Sequence, residues 1–145
     1  MAWLPKKKIL VPIDFSEASL RALEVALELA ESPEHVHALH VLPHLSPVEP
    51  GVLFGNMTSE SRLKKAGESV SAKLTAAGHK DLHSLVRVGS PAKEIVTYAE
   101  EINADLIVIP ALANEAAAIF HIGSTSSRVT QMAQRPVLVL KEPQD

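Results

Sequence analysis

At 145 residues, with 46% hydrophobic and 21% charged side chains and a formal charge of −3, the chain is sized for one globular domain with a real core. That balance excludes a polycation and a disordered charged tail, and nucleic acid is not an expected partner. The sequence holds no cysteine, which excludes disulfides, thiolate metal ligands and a thiol nucleophile.

In chain order, Met1 to Lys8 lacks the apolar stretch of a secretory signal, and no apolar run approaches the roughly 18 residues that span a bilayer. No membrane partner is expected, and the cytoplasm is the expected location. Lys6, Lys7 and Lys8 read as a solvated strand entry. The first strand, Ile9 to Ile13, is almost continuously apolar, as a strand covered on both faces should be. Ser16 then caps a helix in which Leu20, Leu23, Leu27 and Ala30 form one buried stripe, and Pro33 helps to end it.

A second strand runs from about His35 to Leu42. Pro43, Pro47, Pro50, Gly51 and Gly55 then break regular structure until about Met57. A second helix places Leu63, Ala66, Val70, Leu74 and Ala77 on one face and stops at Gly78. Leu82 to Val88 is a third strand. Pro91 opens a third helix, with Ile95, Ala99 and Ile102 buried, that ends before Asn103. Leu106 to Ile109 is a fourth strand, and Ala111 to Ile122 follows neither period. A last helix from about Ser124 to Gln134 buries Val129, Met132 and Ala133, and Val137 to Leu140 is a fifth strand. Strands alternating with helices predict an α/β fold with a parallel sheet.

In a doubly wound sheet the ligand crevice opens at the carboxyl ends of the strands where the order reverses. For the order 3-2-1-4-5 that crevice lies between Pro12 to Ser16 and Pro110 to Ala113. Asp14, at a strand end, can accept from ribose hydroxyls or an adenine amino group; it can equally hold the turn into the helix. Gly123, Ser124, Thr125, Ser126 and Ser127 suit an anion at a helix N-terminus. They read as well as a Ser-rich cap without a ligand.

The segment Ile9-Leu10-Val11-Pro12-Ile13-Asp14-Phe15-Ser16 resembles the start of universal stress proteins. The resemblance extends through Leu39-His40-Val41, Gly89-Ser90-Pro91 with Ile95, Gly123-Ser124 and Arg135-Pro136-Val137-Leu138-Val139-Leu140, so that it takes in a core of about residues 6 to 141. It implies a single doubly wound, Rossmann-like domain of five parallel strands in the order 3-2-1-4-5. It also implies a homodimer paired through the last strand, Val137 to Leu140; an edge strand this apolar independently favours pairing. Nucleotide-binding relatives share a loop G-x2-G-x9-G-[S/T], in which the two earlier glycines would fall on Pro110 and Ala113. Pro110 has no N–H to offer a phosphate, and Ala113 disfavours a left-handed backbone by about 1–2 kcal/mol. Pro12, Ile13, Asp14 and Val41 match positions around the adenosine, and Gly123, Ser124, Thr125 and Ser127 the remaining phosphate turn.

Two functions follow from the resemblance. One is a non-enzymatic stress-response dimer that acts through protein partners with weak or no ATP binding. The other is a regulatory module that binds ATP or AMP with Mg2+, with at most slow ATP hydrolysis. His35, His37, His40 and His44 invite a metal, but strand geometry sets His35 and His37 on one face and His40 on the other, so no metal site is expected. His40 instead suits packing or a backbone bond, and His121 suits a solvent-facing loop.

Overall fold

The structure, a computed structural model, describes residues 3–44, 59–111 and 123–141. Its strands are β1 (Ile9–Pro12), β2 (Val36–Leu42), β3 (His83–Val88), β4 (Leu106–Pro110) and β5 (Val137–Leu140). The helices are α1 (Glu17–Leu29), α2 (Ser59–Ala76), α3 (Pro91–Ile102) and α4 (Ser124–Met132). Every pairing is parallel, and the sheet runs β3-β2-β1-β4-β5.

Side chains alternate across a strand, so each apolar run splits between two cores. Ile9, Val11, Ile13, Leu106 and Val108 pack against Ala22, Leu23 and Ala26 of α1 and Val70 and Leu74 of α2. Leu10, Leu39, Ile107 and Ile109 turn the other way, onto Ala92, Ile95 and Ala99 of α3 and Val129 of α4. With both faces covered, strands without polar alternation are what the packing requires. Ile9, Leu10, Leu39 and Ile107 are fully buried, and burial of side chains this size is worth about 1.5–3 kcal/mol each.

Helix ends follow the expected chemistry. The Ser16 hydroxyl accepts from the Ser19 amide at 3.2 Å, and Glu17 meets the positive end of α1. Beyond α2, Gly78 adopts φ +88°, and the His79 amide wraps back to the Leu74 carbonyl at 2.8 Å, closing the helix as glycine allows. Asn103 does the same after α3 with φ 57°, and its side-chain oxygen accepts from Arg135 at 2.7 Å.

Several expectations need correction. Met132 is 46% exposed: the buried row steps from Ser126 to Val129 and then four residues to Ala133, which leaves Met132 on the outer side. Lys6 is 6% exposed rather than solvated, because its ammonium lies 3.3 Å from the Trp3 ring centroid, a cation–π contact that offsets desolvation. Pro33 and His35 belong to a short 3₁₀ turn that precedes β2, and α1 has already ended at Leu29. Among the described side chains of α2, Val70 and Leu74 are buried, and Ala77, just past its end, is exposed; a helix lying over an edge strand has a narrow seam to cover.

Candidate functional site

β1 pairs with β2 on one side and with β4 on the other, so the chain leaves the centre of the sheet in opposite directions. The carboxyl ends there cannot be closed over by one crossover, and a crevice results. It holds a pocket of about 340 Å3. Of the residues read as candidate nucleotide contacts, Pro12, Ile13, Asp14, Val41, Pro110, Gly123, Ser124 and Thr125 line it. Ala113 lies outside the described residues.

Ser127 does not line the pocket. Its amide donates to the Gly123 carbonyl at 2.9 Å, and its hydroxyl lies 3.5 Å from the Gln131 amide nitrogen, so it belongs to the body of α4. A helix turns about 100° per residue, which carries the fourth residue of α4 past the pocket mouth. Ser126 takes the place that Ser127 was expected to fill. It is 3% exposed, and its hydroxyl donates to the Pro110 carbonyl at 2.5 Å, tying α4 to the end of β4.

The sequence reading also passed over Ser19, Leu39, Pro91, Ile95 and Ile109 as lining residues. All but Ser19 had signals as core or helix positions only; in each case the same side chain serves the core and the pocket wall. His40 was expected to pack or to bond the backbone. Its Nδ1 stands 2.7 Å from the Ile13 carbonyl; a carbonyl only accepts, so Nδ1 carries a proton.

The turn after β1 is built around Asp14. One carboxylate oxygen accepts from the Ser16 amide at 2.9 Å, and the Asp14 amide faces the Ser19 hydroxyl at 3.3 Å. The turn role weighed for Asp14 is therefore present, and it engages one oxygen only. Between Asp14 and Ser16, Phe15 adopts φ 64°, a left-handed conformation that a bulky residue rarely takes. Its ring lies 6.0 Å from the His40 ring, so β2 supports the strained turn from below.

At the other end of the pocket, Gly123 differs from expectation. Its amide donates to the Ala111 carbonyl at 2.6 Å and is not available to a ligand. Its φ of −62° is one that any residue can adopt. The donors left at the start of α4 are the amides of Ser124, Thr125 and Ser126, for which no side-chain cap is present, with the hydroxyls of Ser124 and Thr125. The pocket is thus apolar along the sheet and carries a small set of neutral donors at one end.

The universal stress protein family model matches residues 6–141. The chain belongs to that family. It is 34% identical over 142 residues to the universal stress protein MJ0531 of Methanocaldococcus jannaschii, covering 94% of this chain and 83% of that relative. The solved structure of protein MJ0577 from the same organism matches with a TM-score of 0.74 at 28% identity, covering 98% of this chain and all of that one. A universal stress protein solved in complex with cAMP matches with a TM-score of 0.59 at 23% identity over 94% of this chain and 98% of its own, and shares the fold. The family name implies a role in stress response. Among the described residues no helix is long and apolar enough to cross a membrane, and no group of three or more His, Asp or Glu could hold a metal ion.

Proposed function

We propose that this universal stress protein is a cytoplasmic, non-catalytic regulator that receives the adenosine portion of an adenine nucleotide in the pocket and signals through protein partners. In this reading it works as a homodimer paired along β5, and it holds ATP·Mg2+ only weakly. The observation that carries the reading is the pocket itself. Its position at the reversal of strand order, its apolar wall from Ile13, Leu39, Val41 and Ile95, and Asp14 at its mouth suit a flat heteroaromatic base joined to a ribose. Catalysis is not part of the reading, because a fold alone licenses no chemistry.

Calorimetric titration with AMP, on the native protein and on Gly123→Val, tests this. Gly123 has φ −62° and ψ 158°, open to a β-branched residue, so the variant should fold while its side chain intrudes on the lining. Saturable heat that is lost or cut at least about tenfold in the variant is expected, a change of about 1.4 kcal/mol or more. Absence of heat from the native protein with any adenine ligand at millimolar concentration would leave partner binding without a nucleotide.

A further inference from the structure

We infer that the affinity of this pocket is set in part from outside it, by a stack of Lys73 on α2, Phe15 and His40 on β2 that holds the Asp14 turn in place. For the identity of the ligand this rests on the adenosine reading above. Phe15 stands at φ 64°, a conformation that glycine adopts freely and that costs a bulky residue strain. A residue that only passed the chain through the turn would gain nothing from a phenyl ring, so what Phe15 adds is the contact its ring makes.

That contact faces away from the ligand, since neither Phe15 nor Lys73 lines the pocket. The ring packs on the core shared by α1 and α2. It lies 6.0 Å from the His40 ring at an angle of 52°, and the Lys73 ammonium stands 4.9 Å from its centroid, within cation–π reach. Lys73 is exposed, in the last turn of α2. His40 in turn gives its Nδ1 proton to the Ile13 carbonyl at 2.7 Å.

Asp14 is thus flanked by two anchored neighbours, Ile13 through its carbonyl to β2 and Phe15 through its ring to β2 and α2. The local bonds of Asp14, from the Ser16 amide to its carboxylate and from its own amide to the Ser19 hydroxyl, tie the turn to the start of α1 and reach neither β2 nor α2. A site held ready binds more tightly than one that is ordered on binding. Releasing the ring lets residue 15 leave its strained conformation and carries the Asp14 carboxylate with it. Loss or withdrawal of the Lys73 cation therefore weakens the ligand without any change in the lining.

Calorimetric titration with AMP and amide hydrogen exchange, both on the full chain, test this. Lys73→Met removes the cation and is expected to weaken AMP about two- to fivefold, whereas Lys73→Arg keeps a cation over the ring and should stay within about twofold of the native protein. Phe15→Gly supplies the positive φ but no ring, and is expected to weaken AMP at least about tenfold. Exchange gives a readout that needs no ligand. In Lys73→Met the Ser16 amide, held by the Asp14 carboxylate at 2.9 Å, should lose protection while Leu10 in the centre of the sheet keeps it. Native AMP affinity in Lys73→Met and Phe15→Gly, or the same loss in Lys73→Arg as in Lys73→Met, would overturn the role of the stack while leaving the adenosine site standing. If the native protein binds no adenine ligand, the adenosine reading falls and exchange decides alone: unchanged Ser16 protection in Lys73→Met would then overturn the stack as well.

Discussion

Ser126 donates its hydroxyl proton to the Pro110 carbonyl from a position that is 3% exposed. Ser126→Ala removes that donor from a buried carbonyl without leaving room for water, and is expected to cost about 1–2 kcal/mol. Ser124→Ala, at an exposed position, should stay within about 0.5 kcal/mol. Urea unfolding of the two variants side by side checks this; equal midpoints would mean that the Ser126 bond contributes nothing net. At the same scale, Gly89 shows why its place at the end of β3 admits little else. Its φ is +155°, and an added Cβ would stand 2.6 Å from a Glu94 carboxylate oxygen.

At the scale of elements, β2 and β3 are joined in register through His37 and His83, whose rings stack at 4.7 Å. The Tyr98 hydroxyl lies 3.4 Å from His37 Nδ1, and Arg87 sits over the Tyr98 ring. Burial first, and then the positive charges of His83, Lys8 and His35, push the His37 pKa down from 6.5 to about 4. The unfolded chain therefore takes up a proton near pH 6.5 that the native chain refuses until about pH 4. Stability from this group is complete above the unfolded pKa and is lost progressively as the pH falls from about 6.5 to about 4. Because the ring is only part-buried, solvent screening limits the loss to about 1 kcal/mol. Denaturant midpoints at pH 7.5 and 4.5 should fall further apart in the native protein than in His37→Gln. The same drop in both would assign the acid sensitivity to other groups.

At the scale of the molecule, β5 closes one edge of the sheet. Pro136 and Leu140 turn their carbonyls towards β4, so by the two-residue period of a parallel ladder Val137 and Val139 direct their backbone groups outwards. An edge with outward donors on a strand this apolar is a template for a second copy. Val139→Pro deletes one outward N–H while sparing the ladder to β4, and an edge strand tolerates proline. We expect the native chain to scatter light as a dimer at micromolar concentration and the variant as a monomer. A native monomer, or a variant dimer with unchanged affinity, would count against pairing along β5.

The number and order of the elements were legible in the sequence because two-sided burial writes itself as continuous apolar strands, as in Ile9 to Ile13, and because Ser16, Gly78, Pro91 and Asn103 mark helix ends by local chemistry. The same locality made Asp14 and the Gly123 turn readable as candidate site residues, whereas Pro12 and Val41 came from the family resemblance. Strand order itself came from the family resemblance, since periodicity says which face a residue takes and not which strand lies beside it. Tertiary structure alone decided that Ser126 rather than Ser127 faces the pocket, because the phase of α4 is set by how Val129 packs on the sheet. It alone decided, too, that the Gly123 amide is taken by Ala111, since a hydrogen bond between segments 12 residues apart depends on where β4 ends, and the composition of neither segment contains that.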